Sequence, residues 1–172
     1  MRASTAALLS VALSLAAAAA RAHVTANPDS AAADAYVLTQ FTVPHGCDGS
    51  STVAVRIKIP EGVASVKPQM KPGWKVEIKM RKLATPLKAE NGAMLTETVD
   101  EVDWRGGPLP DNMYDSFGFV MKMPAGADRT LYFPTVQECE QGSHRWVNIP
   151  AAGQKWNEVR EPAPFIRLID RH

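Results

Sequence analysis

Apolar and polar residues alternate with a period of two along most of the chain, a pattern that suits half-buried strands and not helices. In "STVAVRIKIP", Val53, Val55, Ile57 and Ile59 share one face, and Thr52, Ala54, Arg56 and Lys58 share the other. "WKVEIKM" sets Trp74, Val76, Ile78 and Met80 on a common inward face, and "DSFGFVMKMP" does the same for Phe117, Phe119, Met121 and Met123. "YVLTQFTVP", "AMLTETVDEVDW", "TLYFPTVQEC", "HRWVNIP" and "FIRLI" read as further strands. The 13 prolines and 11 glycines separate these runs, with turn chemistry at "CDGS", "KPGW", "AENGA" and "PAGAD". About seven or eight short strands without a long amphipathic helix predict an all-β, two-layer antiparallel β-sandwich. A closed eight-stranded barrel is the competing architecture.

The first 22 residues are of another kind. Arg2 gives a positive start, "AALLSVALSLAAAAA" an apolar stretch, and Ala20-Arg21-Ala22 small residues where a signal peptidase reads. Residues 1–22 are therefore expected to be a signal peptide, with an uncleaved anchor helix as the alternative. Export to the periplasm or beyond the cell follows, with no membrane span left after cleavage. Losing Arg2 and Arg21 from the 19 Lys+Arg leaves a formal charge of −1 against 18 Asp+Glu. So balanced a surface has no electrostatic footprint for nucleic acid.

Cys47 and Cys139 are the only cysteines. In an oxidising compartment an even pair predicts a disulfide, here closing a loop of about 90 residues and contributing on the order of 4 kcal/mol. A thiolate metal site is the alternative, without the CxxC spacing such sites favour.

Enzyme motifs such as GxSxG, HExxH and a P-loop do not occur. Cleavage after Ala22 would instead make His23 the first residue. Its α-amine and imidazole Nδ1 could then chelate one ion. Two borderline nitrogen donors suit tetragonal Cu(II), which tops the divalent affinity order. The amine, with an ordinary pKa near 8, gives up its proton readily to a metal at neutral pH.

The start "HVTANPDSAAADAY" after "ARA" resembles the YcnI-like family of exported copper-binding domains. "FTVPHGCDGSSTVAVRIKIPEGV", "MKPGWKV", "PDNMYDSFGF", "LYFPTVQECEQGSHRW" and "IPAAGQ" continue the resemblance across residues 23–154. It implies an immunoglobulin-like sandwich over 23–154; the last residues, 155–172, read from their own pattern as a loosely packed C-terminal tail. It further implies Cu(II) held in a monohistidine brace, with a carboxylate completing the coordination and a tryptophan beside the metal. Position by position, His23 matches the brace, Asp115 in "YDSF" the carboxylate, and Trp146 in "SHRW" the tryptophan. Asp115 is one methylene shorter than the family's glutamate. The function so implied is copper handling without catalysis: storage, chaperoning or delivery, with periplasmic copper chaperones or transporters as partners.

The residues themselves speak to parts of this. Asp115 shares parity with Phe117 and Phe119, so it opens the inward face of its strand and needs a rim position or a cation, Arg145 being one candidate. Asp48, Glu138 and Glu140 are the reserve carboxylates. Trp146 shares parity with His144 and Asn148, off the apolar face that Val147 and Ile149 suggest. Trp74 and Trp104 read as core, as do Met80, Met121 and Met123. Two other functions compete. A copper redox enzyme would need a second histidine on the metal, His45 or His144, and neither lies in a matching motif. A metal-free adhesion or scaffolding sandwich would need no site at all.

Overall fold

The computed structural model describes residues 23–89 and 92–170. The expected signal peptide, residues 1–22, lies outside them. Among the described residues twelve strands run in chain order: β1 (Thr25–Asn27), β2 (Ser30–Ala32), β3 (Tyr36–Val43), β4 (Thr52–Lys58), β5 (Ala64–Pro68), β6 (Trp74–Lys88), β7 (Met94–Leu109), β8 (Asp115–Lys122), β9 (Arg129–Tyr132), β10 (Thr135–Cys139), β11 (Ser143–Trp146) and β12 (Phe165–Ile169). They form a four-stranded sheet ordered β1-β3-β8-β5, a five-stranded sheet ordered β11-β10-β4-β7-β6, and a three-stranded sheet ordered β2-β12-β9. The pairings are antiparallel except β12 with β2, which is parallel.

The alternation places the core as expected. Phe41 from β3 and Phe117 and Phe119 from β8 are fully buried, facing Val55, Ile57 and Trp104 from β4 and β7. The Trp104 ring meets Phe117 and Phe119 edge-on, at 5.5 and 5.1 Å between centroids, the arrangement that ring quadrupoles favour. Met121 and Met123 are also buried, whereas Ile78 and Met80 are about half exposed. Both lie on β6, the outer strand of its sheet, so one face of their hairpin lacks a covering layer.

The strand count exceeds seven or eight for two reasons. β1, β2 and β5 are three to five residues long, too short to carry a periodic signal. "TLYFPTVQEC" is two strands: Phe133-Pro134 breaks it, so β9 joins one sheet and β10 another.

Residues 155–170 are not a loose tail. β12 pairs with β2 and β9, and it buries Ile166 and Leu168. The reason is local: Ile166 and Leu168 alternate with Arg167, so one face of a single short strand is enough to seal the third sheet. The domain boundary expected at residue 154 therefore falls inside the folded unit.

Cys47 and Cys139 are disulfide-bonded, with Cα atoms 6.0 Å apart. The bond ties the loop after β3 to the end of β10.

Candidate metal centre

The hairpin β10–β11 builds the site around a buried indole. Its register pairs Thr135 with Trp146 and Gln137 with His144. Trp146 is 2% exposed, and its Nε1 donates to Oε1 of Gln137 at 3.1 Å. Gln137 is itself fully buried; its amide donates to the His45 carbonyl at 2.6 Å and to Thr52 Oγ1 at 2.8 Å. One side chain thus ties β10 to β11, to β4 and to the loop after β3. A buried polar network with its members satisfied holds its neighbours in one arrangement.

The parity reading of Trp146 needs correction. The indole points inward, while Ile149 is 57% exposed. Strand β11 ends at Trp146, where Val147 N–H turns back to the Arg145 carbonyl at 2.8 Å. Alternation across residues 147–149 therefore says nothing about the strand before them.

Three histidines surround this indole. The His23 ring lies 5.8 Å from Trp146, His144 5.1 Å and His45 6.3 Å, centroid to centroid. His23 also meets Trp156 edge-on at 5.1 Å. Trp156 is fixed by its Nε1 donating to the Ala163 carbonyl at 2.7 Å. A cavity of about 570 Å³ opens here, lined by His23, Trp146 and residues 157–161, so Glu158, Arg160 and Glu161 border the same space as His23. Glu161 Oε1 lies 2.9 Å from Nδ1 of His144.

Asp115 sits elsewhere on the same rim. β1 pairs Thr25 with Thr42, and β8 pairs Asp115 with Val43. His23 and Asp115 therefore flank the same end of β3 from opposite sides, with backbones two strand spacings or roughly 10 Å apart. The Asp115 side chain is 36% exposed, and its carboxylate accepts from Lys71 Nζ at 2.5 Å and from the Ser116 N–H at 2.8 Å. Lys71 also donates to the Ser116 carbonyl and stands 5.0 Å from the centre of the Phe117 ring. The cation that an inward acid requires is thus Lys71, not Arg145. Of the reserve acids, Glu138 is paired with Arg56 and Arg105, Asp48 occupies a turn at φ 49°, and Glu140 is exposed.

The structure therefore brings His23 and Trp146 together and gives Asp115 a lysine partner. Among the described residues no three His, Cys, Asp or Glu side chains converge as a ready metal cluster. A single-imidazole brace does not need one, because its second donor is a main-chain amine. Trp156, Glu158 and Glu161 escaped the sequence reading. Their one signal is a tryptophan followed by two acids in a stretch without periodicity.

A β-sandwich with its candidate site on one rim, beside a buried indole, defines the class: an immunoglobulin-like domain. A crystal structure titled as an uncharacterized protein from Nocardia farcinica with an immunoglobulin-like fold is similar, with a TM-score of 0.63 and 24% identity over 85% of this chain and 97% of that one. The chain belongs to the DUF1775 family, described as a domain of unknown function, whose model matches residues 23–168. That match runs into β12 as far as Leu168, in agreement with the packing of the C-terminal strand. No curated protein matches the chain.

Proposed function

We propose that this is an exported Cu(II)-binding protein that holds its ion at His23 and serves in copper storage, chaperoning or delivery in the periplasm, without catalysis. The observation that carries this reading is the setting of His23: an imidazole against two indoles, beside a cavity that Glu158 and Glu161 also border. The donor chemistry fits. After cleavage at Ala22, His23 supplies an amine and an imidazole, and a nearby carboxylate offsets part of the ion's charge. An ion held at His23 would lie near Trp146 and Trp156, and an indole face turned to it would add cation–π attraction on the order of 1 kcal/mol. The resemblance to YcnI-like domains spans most of the stretch that the family model matches. It assigns the carboxylate to Asp115, which would have to exchange Lys71 for the metal; Glu158 and Glu161 already share the cavity of His23.

The disulfide suits an oxidising compartment. The testing experiment is a Cu(II) titration of protein cleaved after Ala22, alongside the same chain with residues 1–22 attached. Tight binding in the cleaved form alone is expected, because the extension turns the His23 amine into an amide. Equal affinity in both forms overturns the brace. Turnover of oxygen by copper-loaded protein with a reductant would replace handling by catalysis.

A further inference from the structure

Strand β6 is the outer strand of the five-stranded sheet, and among the described residues no strand pairs with its free edge. Proteins commonly blunt such edges with a short strand, a proline, a bulge or a row of lysines. The first half of β6 has none of these. The strand is 15 residues long, and its first proline is Pro86. Its pairing with β7 is continuous from Trp74↔Gly106 to Lys79↔Glu101, and the extra residue at the shift that follows, Asp100, lies on β7. Its outward charges alternate in sign: Lys75, Glu77, Lys79.

The Gly107 N–H donates to the Gly73 carbonyl at 3.0 Å, so 73 and 107 form a hydrogen-bonded pair. By the alternation of antiparallel ladders, residues 75, 77 and 79 bond to β7, and Val76 and Ile78 turn their N–H and C=O groups to the free edge. A second copy, antiparallel about Ile78, meets those groups: Ile78 pairs with Ile78 and Val76 with Met80. Between them Glu77 of each copy falls opposite Lys79 of the other, in the non-hydrogen-bonded positions where side chains come closest. Arg81 falls opposite Lys75, but Asp100 and the carbonyls of Ile59 and Pro60 hold it. An axis moved by one residue, to Glu77 or Lys79, sets like charges face to face. An axis at Val76 pairs Lys75 with Glu77 but leaves Met80 uncovered.

Apolar surface points to the same register. Ile78 and Met80 are 49% and 51% exposed. Next to them a cavity of about 440 Å³ is lined by Met70, Lys71, Pro72, Trp74 and Val76. Met80 of the second copy, opposite Val76, stands at that cavity.

We propose that the chain forms a two-fold dimer through β6, joining two five-stranded sheets into one of ten strands. The contact is isologous, so it closes at two copies. His23 lies against Trp146 at the end of β11, the opposite edge of the sheet. Both His23 sites therefore stay open, nine strand spacings or roughly 40 Å apart.

The test is sedimentation velocity and light scattering on metal-free protein cleaved after Ala22, in a dilution series reaching about 1 mM. A concentration-dependent monomer–dimer equilibrium is expected. Glu77→Lys and Lys79→Glu are each expected to weaken it at least about tenfold, by setting like charges opposite each other. The double exchange, Glu77→Lys/Lys79→Glu, remakes both pairs and should return the affinity to within about threefold of the parent. The two side chains are 44% and 56% exposed, so the exchanges should leave the fold intact, which circular dichroism checks. A monomer at every concentration overturns the proposal. So does a dimer indifferent to both single exchanges. A dimer that Glu77→Lys disrupts and Lys79→Glu spares overturns it as well, because the axis would then lie at Val76.

Discussion

Two acids on one rim of the sandwich behave differently. Asp115 comes with its own cation: Lys71 lies 2.5 Å from its carboxylate and is itself mostly buried, at 14% exposure. Glu161, a few ångströms from His144, shares its space with imidazoles and indoles instead. The first arrangement is complete without a ligand, since charge, hydrogen bonds and the aromatic face of Phe117 are all accounted for. The second gives its carboxylate an imidazole partner, His144, beside a cavity that His23 also borders. What distinguishes a structural acid from a candidate ligand here is the partner supplied by the fold, and not how far the acid is buried.

The sharpest way to break this comparison is at His23. We expect His23→Ala to lower Cu(II) affinity about a thousandfold, roughly 4 kcal/mol, because one substitution removes the imidazole arm of a chelate. Apo stability should change by no more than about 0.5 kcal/mol, since the half-buried ring lies at the edge of the core. Calorimetry and thermal melting read the two effects. A large loss of apo stability would make His23 a structural residue, packed between Trp146 and Trp156 for its shape.

A smaller effect is expected at Gln137, which organises the imidazole side only. Gln137→Leu leaves the Trp146 N–H, the His45 carbonyl and Thr52 Oγ1 without their buried partner. The cost should be about 2–3 kcal/mol in denaturant unfolding, set by the desolvation of those groups. The Lys71–Asp115 side should be unaffected. If the variant is as stable as the parent, Trp146 is held by packing alone.

The sequence made the sandwich legible because its two long sheets bury one face each, and alternation reports that directly. It failed where local pattern and burial part company. Trp146 looked outward because Val147 and Ile149 were counted with it, although the strand stops at Trp146. Ile78 and Met80 looked inward because β6 alternates correctly, and only the sheet order shows that nothing covers them there. The His23–Trp146 pairing was legible through resemblance to a family. The Lys71–Asp115 pair, 44 residues apart, and the arrival of Trp156 beside His23 and of Glu161 beside His144 were not, since none of them leaves a periodic trace.

The comparison itself sharpens at Asp115. In metal-free protein Asp115→Asn should cost roughly 1–2 kcal/mol, because Lys71 keeps the Ser116 carbonyl and the Phe117 face but loses its counter-charge. Copper affinity is the discriminating readout. If Asp115 ligates, the asparagine variant binds at least about tenfold more weakly and Asp115→Glu restores binding. If the acid belongs to Lys71 alone, affinity stays constant, and Glu161→Gln or Glu158→Gln produces the loss instead. A change in the copper hyperfine splitting in one of these variants, and in that one only, identifies the carboxylate.

The smallest effect calibrates what a compensated acid contributes when no metal is in question. Asp100 lies on β7 and receives Lys58 Nζ at 2.7 Å and Arg81 Nη1 at 3.2 Å. The hydrogen bond from Lys58, with help from Arg81, holds its pKa below the ordinary value of 3.8 against a partial desolvation that opposes it. A carboxylate with a depressed folded pKa contributes stability that is fully present above the unfolded value and is lost as pH falls through the folded one. The contribution of Asp100 is therefore complete at pH 5 and above, and it fades below about pH 4. Because the pair with Lys58 is largely open to solvent, its size should stay under about 1 kcal/mol. The stability gap between the parent and Asp100→Asn, followed by urea unfolding, should narrow as the pH falls from 5 to 2.5 and should shrink in high salt. A gap that ignores pH would mean that Asp100 acts through its shape.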